Sequence, residues 1–532
     1  MIKNKYVFFS LALAVLLTVS ILINFHGFKI TDPDGFYHLR HSWLYRNEGI
    51  FETSFPWVQF SVVRTLGGDL WYGFHLLLIP FTFVPDLVWG IKIAGASITL
   101  ISLFLYFLAF YRLKLKFPLL WPAIFPFVNY PLISRLAVTR PHPLSFGLNM
   151  LLFSFLIKGD AWPVFFISFL LSFIHLSLSW IPVLTLVIIS VARATNKQPL
   201  EKNKIAGLLS GIIIGAFLRP QPLATLKLAY IQLIDIIIQK MEGVGLQFGL
   251  ELVPFGLSRL SFYLLPLFVA TTLLFIWLVY KKHLAKTHLD QKMAIWVLMI
   301  LTLLFLILTV FVAGRAIEFF ISYLLLFMAF NLTLFLGYNQ NNDTVPGKLL
   351  NNKLISGGIV VAISALFIFN GIDTFKKYEQ YLNWLFNPYR SKTASMWLEK
   401  NTWPGDIVFH LGWDNFPELF FWNRHNYYIN GMDPIFLFKY DPGLYWEFHF
   451  LSIDKGGELT CSRRKCTKEE STQTYDVLTK HFKTSYVFIR SSTHPNVFNY
   501  LITNKSKYRL AFFDGDNSIF RVVYPALKNQ RR

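Results

Sequence analysis

The segment TDPDGFYHLR, Thr31 to Arg40, sets Asp32, Asp34, His38 and Arg40 within ten residues, and His41 follows directly. Carboxylates at this spacing suit a divalent cation, which prefers hard oxygen ligands, and either could act as a base. Pro33 and Gly35 favour a tight turn, and His38, Arg40 and His41 fall on a short helix after it. The plainer alternative is a polar loop whose Asp caps a helix. His142 stands between Pro141 and Pro143 and reads as a helix-start histidine. Glu251 is an isolated acid in GLQFGLELVPFGLSR, between Gly249 and Pro254, and could equally be solvated. Arg315, in GRAIEFF, offers a planar fork suited to phosphate, or a partner for Glu318 within its own helix. Arg135, Arg140, His175 and Arg219 could add positive charge. Trp413, Asp414 and Asn415 lie in HLGWDNFPELFFWNRHNYYINGMDP, whose aromatic and polar side chains suit a sugar face or an ordinary aromatic core.

The elements that must position these groups are set by lipid. Of 532 residues 54% are hydrophobic and only 15% charged, with 55 phenylalanines and a mean hydropathy of +0.46. Those values describe a polytopic α-helical membrane protein. Its net charge of +20 fits cytoplasmic anchoring of helix ends better than nucleic-acid binding. No GxxxxGK loop is present in the sequence, which argues against nucleotide hydrolysis and an ATP-driven transporter. Cys461 and Cys466, in CSRRKC, are open to a local disulfide or to two free thiols.

Apolar windows in residues 1–371 make about eleven spans of roughly 20 residues or somewhat less. They are Tyr6–Phe25, Leu87–Tyr111, Phe117–Ile133, His142–Ile157, Trp162–Ile174, Leu176–Val191, Ile205–Leu218, Ser261–Tyr280, Met293–Val312, Ile317–Leu336 and Leu354–Asn370. The first has no small-x-small cleavage site and reads as a retained helix. Leu70–Pro85 reads as an amphipathic or re-entrant piece, and Arg219–Leu260 as a long outer loop. With Lys3 and Lys5 inside, RLKLK, RATNKQPLEKNK and KKHLAKTHLDQK all fall inside, and every loop with candidate chemistry falls outside. The expected topology is N-terminus cytoplasmic, C-terminus outside. After Gly371 short apolar runs such as DIVFHL and TSYVFIRS alternate with Trp, Asn, Asp and Gly, predicting a soluble α/β domain. The expected domains are 1–371 and 372–532.

The run Asp34-Gly35-Phe36-Tyr37-His38-Leu39-Arg40 resembles the first-loop motif of oligosaccharyltransferase catalytic subunits, the archaeal and bacterial single-subunit type above all. These belong to the GT-C class of polyprenyl-linked sugar transferases. YPLISRLAVTRPHPLSFG resembles the stretch that ends that family's third span. The resemblance implies that Asp34 is a catalytic and metal-binding carboxylate assisted by Asp32, with Mn or Mg as the metal. It implies that Glu251 engages acceptor and metal from a mobile outer loop, and that Arg315 binds donor phosphate, with Arg135 and Arg140 beside it. The family's second acidic pair aligns with His142 and Leu144, so one acid becomes a possible imidazole ligand and the other is lost. Trp413-Asp414 resembles part of the Trp-Trp-Asp acceptor motif, with Gly412 in place of the first Trp and Asn415 following.

The expected function is a plasma (inner) membrane glycosyltransferase that moves a sugar or oligosaccharide, with inversion, from a polyprenyl-(di)phosphate donor to an acceptor at the outer face. A protein acceptor stands first, and a lipid or glycan acceptor is the alternative. A transporter or flippase should carry its polar residues near the midplane and in two related halves, and neither is found in the sequence. A scaffold would leave the pattern of Asp34, Glu251 and Arg315 without a reason.

Overall fold

The computed structural model describes residues 5–247, 249–256, 260, 264–280, 284, 287–339, 353–385 and 387–524. The expected start of a span at Ser261 lies outside them. The chain divides into two units. Unit 1 comprises Met1–Thr31, Ile91–Leu218 and Gly249–Leu385, and unit 2 comprises Asp32–Gly90, Arg219–Phe248 and Phe386–Arg532. This line differs from the consecutive division at residue 371, because the first loop and the stretch after Arg219 pack with the C-terminal part.

Among the described residues six helices are long and apolar enough to cross a membrane: Lys5–Phe25, Leu87–Arg112, Leu176–Thr195, Pro222–Met241, Leu289–Phe311 and Gly314–Leu336. Shorter apolar helices are Tyr72–Phe83, His142–Ile157, Ala161–Ile174 and Leu264–Val279. Pro222–Met241 lies where an outer loop was expected. The stretch expected to span from Phe117 to Ile133 is broken into a helix Leu120–Ile124, a 3-10 turn Phe125–Val128 and a helix Tyr130–Leu136. Pro118, Pro122, Pro126 and Pro131 each remove a backbone donor, which accounts for the breaks. The helix Lys353–Trp384 has 32 residues and runs through Gly371, where the last span was expected to have ended. In unit 1 this helix is held to others by hydrogen bonds to backbone. Tyr378 donates to the Ile23 carbonyl at 3.0 Å, and Asn370 donates to Phe127 and Val128 at 3.0 and 3.1 Å.

Within lipid, apolar burial does little to drive helix association, and close backbone approach does more. Gly207, Gly211 and Gly215 form one stripe of the helix Lys202–Phe217. A Cβ on them would lie 2.8 Å from the Ala161 carbonyl oxygen, 2.4 Å from that of Phe165 and 2.6 Å from that of Phe169. The stripe therefore seats the helix Ala161–Ile174 at a separation that no larger side chain permits.

Unit 2 contains a five-stranded sheet in the order Tyr427–Tyr428, Ile407–His410, Tyr486–Arg490, Asn517–Val522, Tyr508–Phe513. The first three strands are parallel and the last two antiparallel. The central strand Tyr486–Arg490 is buried at every residue, the pattern of a strand covered on both faces. Helices Lys392–Asn401, Phe416–Trp422 and Pro495–Thr503 alternate with the strands, as the α/β expectation requires. The first loop reaches the sheet edge: Tyr428 N–H donates to the Trp57 carbonyl at 2.7 Å, and Gln59 N–H donates to that of Tyr428 at 2.9 Å. Cys461 and Cys466 are joined by a disulfide.

A buried ion network ties the helix Phe416–Trp422 to the sheet. Glu418 accepts from Arg390 at 2.7 and 3.1 Å, from Arg490 at 2.9 Å and from Ser391 at 2.7 Å. Burial pushes the Glu418 carboxyl up, but Arg490 and Arg390 more than offset this and hold it below the usual range. A carboxyl held down in the folded state stabilises above its unfolded pKa, and that contribution is lost as pH falls through the folded value. Glu418→Gln leaves Arg490 buried without its counter-charge and should cost about 3–5 kcal/mol of stability. Denaturation of unit 2 followed by disulfide-intact limited proteolysis checks this, and the difference from wild type should shrink on acidification.

Candidate functional site

In unit 2 the first-loop motif forms a turn and then the helix Asp34–Glu48. Asp32 Oδ1 accepts the Asp34 N–H at 2.8 Å, and its carbonyl accepts that of Gly35 at 3.3 Å. Pro33 supplies helical φ at the entry. Asp34 thus stands in the first helical turn, where the unpaired N–H groups favour a negative charge. Arg40 has another task. Its guanidinium donates through Nε at 2.7 Å and through Nη2 to the Phe421 carbonyl, and lies over Trp43 and Phe421. It closes the C-terminal end of the helix Phe416–Trp422.

Behind the motif lies a polar cluster that the sequence reading missed. Asp69 is 3% exposed and His75 is 0% exposed. Asp69 Oδ2 accepts from His75 Nδ1 at 2.6 Å and from the Tyr45 hydroxyl at 2.7 Å, while Oδ1 accepts the Trp71 N–H at 2.9 Å. His75 Nε2 lies 2.8 Å from His38 Nδ1. Tyr37 and His41 meet at 3.1 Å. Burial pushes the Asp69 carboxyl up, but His75, His41 and the Tyr45 hydroxyl hold it well below the usual range. Burial first, then His75, lowers His41 to about 3. The signal in the sequence was a lone Asp and a lone His in the otherwise apolar GGDLWYGFHLLLIPF.

In unit 1 three arginines converge on one carboxylate. Arg135 Nη1 binds Glu251 Oε2, Arg140 Nη1 lies 3.5 Å from the same oxygen, and Arg315 Nη1 lies 4.0 Å from Oε1. Arg135 Nε also binds Glu318, whose side chain is 3% exposed. Glu318 therefore pairs across helices with Arg135 rather than along its own helix with Arg315. The backbone presents Glu251: Gly314 N–H donates to Val253 at 2.9 Å, and Phe255 N–H to Thr309 at 3.0 Å. Gly314 is required for this approach, since a Cβ there would lie 2.8 Å from the Phe255 ring and 3.0 Å from the Val253 oxygen. Burial raises the Glu251 carboxyl, but Arg135, Arg140 and Arg315 outweigh it and bring it down to about 2. His142 starts the helix His142–Ile157, and its Nε2 donates to the Arg135 carbonyl at 3.2 Å. His175 Nδ1 meets Ser145 at 2.8 Å.

The expected metal set was Asp34, Asp32, His142 and Glu251. The residues do not fit it as a set. A carboxylate surrounded by three guanidiniums repels a second cation, and His142 has Arg135 and Arg140 as charged neighbours and Nε2 turned to a carbonyl. Asp32 and Asp34 keep the oxygen chemistry a divalent ion requires.

Trp413, Asp414 and Asn415 form a 3-10 turn. Asn415 accepts the Gly412 N–H at 3.3 Å and donates to Asp414 Oδ1 at 3.4 Å. A Cβ at Gly412 would lie 2.4 Å from Asp414 Oδ1, so the Trp found there in the resembling motif would require the Asp414 side chain to move aside.

No protein-family model and no curated protein sequence matches this chain. Solved structures do. ArnT from Cupriavidus metallidurans in the apo state aligns with 96% of this chain and 97% of its own, at 10% identity and TM-score 0.50. The same protein bound to undecaprenyl phosphate aligns with 99% and 100%, at 10% identity and TM-score 0.53. The archaeal oligosaccharyltransferase AglB from Archaeoglobus fulgidus, in complex with an inhibitory peptide and a dolichol-phosphate, aligns with 91% of this chain and 69% of its own, at 12% identity and TM-score 0.56. The chain shares their fold. The resemblance to GT-C proteins drawn from short motifs is thus found again over nearly the whole length, and with the apolar helices it makes this a multi-pass membrane protein of the ArnT and AglB fold.

Within this fold the Arg135 pairs set a local stability test. Arg135→Ala leaves Glu318 buried and uncompensated and should cost about 3–5 kcal/mol. Adding Glu318→Ala should recover a large part of that loss, which thermal unfolding in detergent measures for the single and double variants.

Proposed function

We propose that this protein is an inverting membrane glycosyltransferase. It moves a sugar or oligosaccharide from a polyprenyl-(di)phosphate donor to an acceptor at the outer face of the plasma membrane, with protein as the first acceptor. The observation that carries the reading is the convergence of Arg135, Arg140 and Arg315 on a single carboxylate, in a chain whose fold is that of proteins solved with undecaprenyl phosphate and with dolichol-phosphate. Guanidinium forks match phosphate oxygens. Neutralising the charge that builds on the departing phosphate makes a polyprenyl phosphate a good leaving group.

In this reading Glu251 belongs to the phosphate end: it keeps the three guanidiniums together until the donor phosphate takes them. Asp34 belongs to the acceptor end and orients or deprotonates the attacking group. The anomeric carbon gains a bond to the acceptor on one face as the bond to phosphate oxygen breaks on the other, which inverts the centre without a covalent enzyme intermediate. About eleven spans, a cytoplasmic N-terminus and an outer C-terminal domain complete the proposal.

A second reading, transfer to a lipid or glycan, is favoured by one observation: Gly412 packs against Asp414 where the resembling acceptor motif has Trp.

The test is transfer of radiolabelled sugar from the cell's own polyprenyl-linked glycans by purified wild-type protein and Asp34→Ala, with and without EDTA. Asp34→Ala should lower transfer by about 10²-fold or more, with donor binding kept. Label in protein supports the first reading, and label in lipid or glycan the second. Transfer that ignores Asp34 in a folded, donor-binding protein overturns both, and EDTA separates a metal-held acceptor from a metal-free one.

A further inference from the structure

The helix Pro222–Met241 turns an apolar face away from the protein. Leu223, Tyr230, Ile234, Ile237, Ile238 and Met241 are 36% to 82% exposed, and Lys227 is the one charged residue exposed among them. These positions recur every three or four residues and so share a face. The buried residues are Thr225, Leu228, Ile231, Asp235 and Ile236, so a hydroxyl and a carboxylate lie on the protein side while six large apolar side chains lie outside. A helix on a domain surrounded by water has the opposite arrangement, with its polar side chains outward. A continuous apolar face of this kind marks a contact with lipid or with another protein.

The chain itself favours lipid. The preceding helix Lys202–Phe217 exposes Leu209, Ile213, Ile214 and Phe217, and it forms most of the span expected over Ile205–Leu218. Five residue steps lead from Phe217 to Pro222, a reach of at most about 18 Å. The exposed apolar face therefore begins close to the point where that span leaves the bilayer.

The helix is also fastened to unit 2 along its length, which sets its direction. Near its start Thr225 N lies 2.7 Å from where a Cβ on Gly68 would stand. Further along, Asp235 Oδ2 pairs with Lys439 Nζ at 3.0 Å. Just past its end the Gly243 carbonyl accepts from Arg464 at 2.7 Å, and Gln247 N–H donates to the Tyr445 hydroxyl at 2.8 Å. If the helix crossed the membrane it would draw Lys439, Arg464 and the irregular backbone of the Cys461–Cys466 loop toward hydrocarbon, where charge and open backbone are not tolerated. Its mean hydropathy of 1.3 is moreover the lowest of the six long apolar helices.

We propose that Pro222–Met241 lies flat at the boundary between headgroups and acyl chains and docks unit 2 on the bilayer through Leu223, Tyr230, Ile234, Ile237 and Met241. Lys227 reaches a lipid phosphate from the same face. The leaflet is the one that Leu218 reaches, the outer one in the topology proposed above. Both ends of the helix then stay on one side of the membrane, as a loop from Arg219 to Leu260 requires. The proposal is independent of which sugar, donor or acceptor the protein handles, and of whether it is a transferase.

The test is depth measurement by power-saturation EPR on full-length protein in nanodiscs of phosphatidylcholine and phosphatidylglycerol. The chain has two cysteines, which are joined to each other, so one introduced cysteine gives one labelled site. Leu223→Cys, Tyr230→Cys, Ile234→Cys, Ile237→Cys and Met241→Cys are labelled one at a time, and every one of these sites is exposed, so the label displaces no buried contact. Labels at Tyr6, Leu13 and Ile21, exposed on Lys5–Phe25, calibrate a crossing helix. All five sites should collide more with oxygen than with a water-soluble nickel chelate, at one shared depth of about 5–10 Å. Depths that run through the midplane, with Leu223 and Met241 about 27 Å apart, make the helix a span and overturn the proposal. Greater collision with the nickel chelate at the five sites puts the face in water, and shielding from both reagents puts it under protein; either result overturns docking on lipid.

Discussion

Arg135 holds two carboxylates at once, Glu251 from the loop after Gly249 and Glu318 from the start of a long apolar helix. A charge removed from water is tolerated only when an opposite charge and hydrogen bonds meet it, and unit 1 brings its ionisable residues together on that condition. The short helix Tyr130–Leu136, the bend at Arg140 and the turn Gly314–Ala316 are all places where the helical ladder is interrupted, which is where guanidiniums can converge. Unit 2 obeys the same rule twice, at Glu418 between Arg390 and Arg490 and at Asp69, which is hydrogen-bonded by Tyr45, Trp71 and His75 and interacts electrostatically with Arg219.

The two carboxylates singled out for chemistry have opposite surroundings. Glu251 lies among cations and is held ionised by them, which makes it a poor base and a poor metal ligand but a good stand-in for an anion. Asp34 lies in a helical first turn, beside Asp32 in sequence and one turn ahead of His38. Unit 1 thus gathers positive charge around its carboxylate, and unit 2 sets its own at the start of a helix.

Much of this was legible in one dimension. The helices Lys5–Phe25, Leu87–Arg112, Leu289–Phe311 and Gly314–Leu336 follow from long apolar runs, and Asp34, Glu251 and Arg315 stood out because charge is rare in such a chain. Breaks were harder to see, because a window average counts the four prolines between Phe117 and Ile133 as ordinary residues while each deletes a hydrogen bond. Pro222–Met241 was read as loop because Lys227, Asp235 and Lys240 dilute its apolar residues. Asp69 and His75 were missed for a different reason. They lie about thirty to forty residues after the motif they support, with no spacing rule to link them, and only the folded first loop brings His75 to His38.

The glycine stripe of Lys202–Phe217 bears on how such a protein is made. Its seat on Ala161–Ile174 involves two helices separated by only one other, Leu176–Thr195, and it relies on shape rather than on any charged or distant residue. These three helices can therefore settle against one another while the ribosome is still adding the later part of the chain. Glu251, Arg315 and Glu318 follow these helices in the chain, whereas Arg135 and Arg140 precede them, so the carboxylates that pair with Arg135 are made only after the stripe is seated.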